Sequence, residues 1–262
     1  MTSKNAFHSF IVLGICSSMA SAYTNNIMLT GYWPPTNEMV RPFSTDPVKN
    51  PGGWQGGNWE GRGYNIFSFF PEFMSFPSDP IGTGDFEVDY QDTSADWWRI
   101  VDTVQPVAII TFSRTGQYPF GWELEMRQRN LLTWVDDYRA PLQPTPAPPD
   151  NSVPEGHVRL STLPMQQIVD AVRAANIGVN PRIDTTSFGG GFLSEFIAYH
   201  GTWYHDLHSD PMDPFYNVAA GHIHVGANLN ASQSRAATDI SLRELIRHVD
   251  NVLNIPEPTA GM

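Results

Sequence analysis

A short, almost wholly apolar run, VAIITF at Val107 to Phe112, begins one residue after a proline that stops a segment of helical spacing, ADWWRIVDTV at Ala95 to Val104. So compact a run, bounded this way, reads as a strand buried on both faces, which is the environment of a central strand in a parallel sheet. The same alternation recurs along the chain. NIMLT at Asn26 to Thr30, the stretch Tyr64 to Phe70, Ile177 to Asp184 and GHIHVGAN at Gly221 to Asn228 read as strands. Between and after them a helix is expected over ELEMRQRN (Glu123 to Asn130), and others over STLPMQQIVDAVRAAN, over the stretch after Gly191 and over Asp239 to Leu253. Parallel strands need crossover connections, so the fold class is α/β, with helices on both faces of the sheet. In the STLP segment Ser161 or Thr162 is expected to cap, with Pro164 in the first turn. Two segments resist regular structure: PGGWQGGNWEGRG at 51–63, rich in glycine and tryptophan, and the proline-rich stretch from Asp136 to Glu155.

Residues 1–22 combine a single Lys4, an apolar stretch towards Met19 and small residues at Ala20 and Ala22, the pattern of a secretory leader cleaved after Ala22. That leaves 23–262 as a single domain, secreted or periplasmic. Cys16, the one cysteine in the chain, falls in the leader, so the domain has no disulfide, thiolate metal site or thiol nucleophile. The formal net charge is −12, from 15 Lys and Arg against 27 Asp and Glu, which argues against nucleic acid and anionic membranes as partners. Asn230 to Ser232 forms an N-x-S sequon, meaningful only in a glycosylating host.

Sites in α/β sheets lie at the carboxyl ends of strands. Gly189, Gly190 and Gly191 stand at such an end and run into FLSEFIAYHGTWY, an amphipathic segment with Ser194 in its first turn. Two readings of Ser194 are open. It caps the helix, as serine commonly does, or it is a nucleophile beside a glycine turn whose N–H groups suit an oxyanion. A serine nucleophile needs a histidine base oriented by a carboxylate. His157 and His248 read as solvated, whereas His222 and His224 share one face of a strand, with His224 following Ser194 where a base can stand. His205, Asp206, His208 and Asp210 carry metal-ligating chemistry, but their spacing matches no standard ligand motif, and no metal or cofactor is assigned.

With these residues assembled, the chain resembles the pyroglutamyl peptidase I family of cysteine peptidases. Its first-strand loop TGF-x-PF is similar to LTGYWPP at Leu29 to Pro35, and its E-R-V-A-x-N helix to EMRQRN at Glu125 to Asn130. Its STLP helix occurs unchanged at Ser161 to Pro164. Its AG-x-Y-L-C-N motif resembles GGGFLSE, with Ser194 at the cysteine position, and its A-G-F-x-H-V-P strand resembles AGHIHVG, with His224 at the catalytic histidine. The resemblance runs over about residues 27–254. It implies a three-layer α/β/α sandwich with a mixed, mainly parallel sheet. It also implies a Ser194–His224–Glu125 triad, an oxyanion turn including Gly190 and Gly191, and an acyl pocket from Gly31, Tyr32, Trp33 and Phe192. The function expected is hydrolysis of an amide or peptide bond in a small peptide or acyl-amide, with an N-terminal pyroglutamate or a related small acyl group as the candidate substrate; the alternative is an inactive secreted binding protein on the same fold, using aromatic residues such as Trp54, Trp59, Trp97 and Trp98. Glu195 replaces the family asparagine and adds a negative charge beside the oxyanion, which opposes turnover unless it is paired. The segment 51–63 reads as an addition that lines or lids the site.

Overall fold

The computed structural model describes residues 23–256. The leader reading at 1–22, with Cys16, lies outside the described residues.

Among the described residues eight strands and five α-helices follow in order: β1 Asn26–Tyr32, α1 Thr36–Val40, β2 Asn65–Phe69, α2 Tyr90–Val104, β3 Ala108–Thr115, β4 Gly121–Glu125, β5 Arg127–Arg129, β6 Val158–Leu160, α3 Met165–Ala175, β7 Asn180–Asp184, α4 Leu193–Leu207, β8 Ala219–Gly226 and α5 Ala231–Leu253. Six strands form one sheet in the order β2-β1-β3-β8-β4-β7, while β5 and β6 make a separate antiparallel ribbon. All neighbours in the large sheet are parallel except β4, which runs antiparallel to β8. Helices cover both faces, giving the three-layer α/β/α sandwich.

Strand alternation sorts the side chains. Ile27, Leu29, Ile110, Phe112, Leu124 and Ile223 point to the face covered by α1, α3 and α5. Met28, Tyr32, Ile109 and Ala220 point to the opposite face, against Trp97 of α2 and Phe196 and Ile197 of α4. Thr111, Ser113, His222 and His224 also belong to that second face, so it carries a polar row towards the carboxyl ends of the central strands.

The helix expected over Glu123 to Asn130 is not formed; Glu123 to Glu125 lie in β4 and Arg127 to Arg129 in β5, with Met126 between them. GWELE alternates with period two: Trp122 and Leu124 enter the core while Glu123 and Glu125 face the polar side. The two buried carboxylates are matched by Arg182 on β7 and His224 on β8, a pairing that only neighbouring strands supply.

The helix starts depart from expectation for physical reasons. Helix α2 begins five residues early because the Asp89 side chain accepts from the Gln91 and Asp92 N–H groups at 2.8 and 3.2 Å. In α5 the Asn230 side chain accepts from Gln233 N–H while the Gln233 side chain accepts from Asn230 N–H; this capping box moves the start to Ala231 and engages the sequon asparagine. Neither Ser161 nor Thr162 caps α3, whose N-cap position is Pro164. Instead Thr162 lies beside β8 where β4 has ended: its N–H donates to Ala220 O, and its hydroxyl accepts from Ala220 N–H, both at 2.9 Å. Gly221 allows this close approach, because a Cβ there would stand 2.2 Å from Ser161 Oγ.

The 51–63 segment covers the edge strand β2, at the end of the sheet remote from β4 and β7. Ile66 N–H donates to Gly56 O at 2.9 Å, and Trp54 Nε1–H to Ile66 O at 2.8 Å. Trp59 is buried in the core on the α5 face. The segment thus protects an edge and does not line the site expected at 189–224.

Candidate active site

Glu125 ends β4 and His224 lies near the end of β8, both on the polar face. His224 Nδ1 and Glu125 Oε1 are 2.7 Å apart, and both residues are buried. With Nδ1–H donating to the carboxylate, Nε2 keeps the lone pair, which is the tautomer of a general base. The other Glu125 oxygen, Oε2, is buried and has no hydrogen-bond partner among the described residues.

Behind His224, the His222 ring meets it edge-on at 4.7 Å and is clasped between Thr111 Oγ1 and Ser113 Oγ, each at 2.8 Å. Complete burial, and then the neighbouring His224, push His222 well below the usual histidine range, so it is a neutral packing partner.

Glu125 and His224 open onto a cleft of about 530 Å³ on the polar side of β8, β4 and β7. Gly189 and Gly190 line it, as do Glu123, Arg182, Asp184 and Tyr118. Burial raises the Glu123 carboxyl above the usual range, and Arg182 works against this through Nε, 2.7 Å from Oε1. Arg182 in turn lies over the Tyr118 ring at 3.3 Å. For Asp184 burial opposes the charge but is overcome: Ser187 and Thr186 donate side-chain and backbone hydrogen bonds that hold the carboxyl well below the usual carboxylate range. One ligand-type atom each from Glu123, Glu125 and His224 lies within 4.8 Å of the others, a spacing compatible with a metal ion, although Arg182 already supplies a cation to Glu123. Glu123, Arg182 and Asp184 were not singled out from the sequence. The signals for them were the alternating glutamates of ELE and the DTTS turn, in which an aspartate caps its own loop.

Gly189, Gly190 and Gly191 all adopt positive φ, at 86°, 94° and 72°, the region open to glycine at little cost. The chain thereby turns sharply from β7 into α4. Phe192 occupies the N-cap position with no side-chain cap bond, so Ser194 is not the cap; it lies inside the first turn, buried, and among the described residues it is neither hydrogen-bonded to His224 nor part of the cleft lining. Helix α4 packs on β3 and β8, the strands of the polar row.

Glu195 is fully buried and paired. Arg129 grips it with Nε on Oε1 at 2.8 Å and Nη2 on Oε2 at 2.9 Å, and the Arg129 N–H adds a third bond at 3.0 Å. The charge expected to oppose an oxyanion is neutralised by a guanidinium. Glu195 also fixes the glycine turn, because the Gly191 N–H donates to Oε2 at 2.7 Å. Gly191, expected as an oxyanion donor, is therefore committed elsewhere. Gly190 faces the cleft with open space around its Cα.

The expected acyl-pocket residues do not line this cleft. Tyr32 is a core residue, fully buried, with its hydroxyl on Thr93. Gly31 packs against Thr36 at the start of α1, where a Cβ would be 3.2 Å from its atoms. Trp33 and Phe192 do come together, their rings nearly parallel at 6.4 Å, with Trp33 Nε1–H donating to Pro80 O at 2.7 Å and the Phe192 ring edge-on to Tyr138 at 5.5 Å. The residues at 205–210 do not converge: His205 bonds Asn217, Asp206 pairs with Arg159, and His208 with Asp213. His248 is half-buried, and desolvation lowers its imidazole below the usual value. Among the described residues no helix is long and apolar enough to cross a membrane.

A mixed six-stranded sheet with helices on both faces, and a cleft on the polar side of β8, β4 and β7, define an α/β/α protein. Among solved structures it is similar to the pyrrolidone carboxyl peptidase of Thermococcus litoralis, at 13% identity and TM-score 0.60 over 90% of this chain and 99% of that one. It is similar also to pyroglutamyl peptidase I of Bacillus amyloliquefaciens, at 17% identity and TM-score 0.57 over 86% and 98% of the two chains. The pyrrolidone carboxyl peptidase of the hyperthermophile Pyrococcus furiosus matches at 12% identity and TM-score 0.59 over 86% and 99%. No family model matches the sequence, and no curated protein matches it. At these identities the likeness is one of fold.

Proposed function

We propose that the chain is a secreted or periplasmic hydrolase of amide or peptide bonds, working with Ser194, His224 and Glu125. The observation that carries this reading is the buried 2.7 Å bond between Glu125 and His224 at the mouth of the cleft, beside the turn that leads into the helix of Ser194. In the reaction Ser194 Oγ attacks the scissile carbonyl while His224 Nε2 takes its proton and later returns it to the leaving amine; Glu125 holds the ring and balances its positive charge. With Gly191 N–H occupied by Glu195, the donors left for an oxyanion are the Gly190 N–H and the free N–H groups of the first turn of α4. The fold shared with pyroglutamyl peptidases supports a small acyl-amide or peptide substrate, and the leader at 1–22 supports export.

The committed Gly191 N–H favours one other reading, an inactive binding protein on the same fold. Intact mass after exposure to a small fluorophosphonate separates the two. One adduct is expected on the parent protein and none on Ser194→Ala or His224→Ala. An unmodified parent protein overturns the hydrolase.

A further inference from the structure

At the other end of the sheet from His224, where α2 leads into β3 and α4 towards β8, a second cavity of about 430 Å³ lies between the two helices. Trp98 and Asp102 stand one turn apart on α2, Tyr204 and His208 one turn apart at the end of α4, and Phe215 closes it from the turn before β8. The Tyr204 and His208 rings are 4.5 Å apart and the His208 and Phe215 rings 5.5 Å apart, so one wall is a continuous aromatic row. Trp98, edge-on to Trp203 at 4.9 Å and 37% exposed, supplies an aromatic surface from α2. Ring faces carry partial negative charge. Asp102 is exposed on the lining, and among the described residues its carboxylate has neither a hydrogen bond nor an ion pair. It stands in the last turn of α2, where backbone carbonyls are already negative and a basic residue is the favourable choice, yet that turn has none. Helix α4 ends at the same cavity. Arg99, the one Lys or Arg position on the lining, is balanced by Asp85 and Asp96 at 2.8 and 2.6 Å. Asp213 is taken up by His208 Nδ1 at 3.0 Å and by the Phe215 N–H at 2.7 Å. Tyr204 is buried, and its hydroxyl has no hydrogen-bond partner among the described residues; burial, and then the charges of Asp213 and Asp102, push it up, so it stays a neutral phenol.

We infer that this cavity binds a small organic cation, an ammonium nitrogen carrying apolar substituents, with the substituents against Trp98, Tyr204 and Phe215 and the charge beside Asp102. A bare inorganic cation leaves the aromatic walls unused, and a neutral apolar molecule leaves Asp102 and the helix ends uncompensated. An alkylated ammonium satisfies both, because its weakly hydrated charge is spread over groups that pack on ring faces. The cavity shares no lining residue with the cleft beside His224, so the inference stands apart from the hydrolase reading.

The test compares choline with 3,3-dimethylbutan-1-ol, which has the same shape with a neutral carbon in place of the charged nitrogen, and with methyl glucoside, which would stack on the same rings as a sugar. Binding is read from the shift of the Trp98 indole N–H signal in nitrogen-edited NMR, assigned by its loss in Trp98→Ala, and from saturation transfer to the ligand methyl groups. Choline is expected to bind about tenfold more tightly than the alcohol, with the preference shrinking as salt is added and the glucoside without effect. Asp102→Asn is expected to lose most of that preference, and Trp98→Ala to weaken choline binding; both positions are exposed, and a melting temperature like the parent's shows that each variant is folded. Equal affinity for choline and the alcohol, no binding of either, glucoside binding in choline's place, or an unchanged preference in Asp102→Asn overturns the inference. Sedimentation with phosphatidylcholine vesicles separates two sources of the same cation: sedimentation that choline reverses assigns a lipid headgroup, and protein left in the supernatant assigns a free solute. Fluorophosphonate capture is expected to be unchanged in both variants, so loss of the cation site leaves the hydrolase reading standing, and an unmodified parent protein leaves the cation site standing.

Discussion

Replacing Arg129 with methionine strands a charge. Glu195 is fully buried and receives four hydrogen bonds: two from the Arg129 guanidinium, one from the Arg129 N–H and one from the Gly191 N–H. The substitution removes the guanidinium, leaving a carboxylate in the interior with two backbone donors and no countercharge. Breaking a buried pair from one side costs about 3–5 kcal/mol, since the remaining ion keeps its desolvation penalty and loses its attraction. For a domain of this size each kcal/mol lowers the melting temperature by about 2–4 °C, so Arg129→Met is expected to melt about 6–20 °C below the parent. The double variant Arg129→Met with Glu195→Met removes both ions and is expected to recover most of the loss, a coupling that chemical denaturation of the four proteins measures. The Arg129 and Glu195 contacts tie β5 to the first turn of α4, so the single variant should also slow fluorophosphonate capture by Ser194. If Arg129→Met lies within about 1 kcal/mol of the parent, the pair is not the clamp its geometry describes.

Two further outcomes follow from buried groups. His200 is enclosed by Phe196 O at 2.8 Å and Ser94 Oγ at 3.1 Å, and burial lowers it from the usual 6.5 to about 4. The folded state holds it neutral while the unfolded chain takes up a proton below pH 6.5, so its contribution is fully present above that pH and is lost as pH falls towards 4, by about 3 kcal/mol. Urea melts across this window should show a steeper acid loss for the parent than for His200→Gln; parallel curves would contradict the assignment. Gly221→Ala places a methyl 2.2 Å from Ser161 Oγ and 2.8 Å from Leu163, and is expected to cost about 1–3 kcal/mol in denaturation; a neutral result would mean that the STLP segment yields freely.

Much of the frame was legible in the chain because it rests on local patterning. The apolar run at 107–112 is a central strand, the stretch after Gly191 is a helix, and His222 and His224 share a face because strand side chains alternate. The setting of Glu125 was not legible. ELEMRQRN contains strong helix formers, and its strand character depends on Arg182 and His224 standing on neighbouring strands to receive the two glutamates. The same limit applies to Tyr32 and the 51–63 segment: which side of the sheet a loop covers follows from strand order, and strand order is set by contacts distant in sequence.

By itself the sequence determined the α/β class, the glycine turn before Ser194 and the absence of a cysteine after residue 22, since each depends on residue type and near neighbours alone. Only the tertiary structure decided that Glu125 bonds His224, that Glu195 is neutralised by Arg129 and takes the Gly191 N–H, and that the open space beside them is acidic. The charge of a buried group is governed by what surrounds it in three dimensions, and those surroundings come from residues far apart in the chain, 99 positions for Glu125 and His224 and 111 for Thr111 and His222.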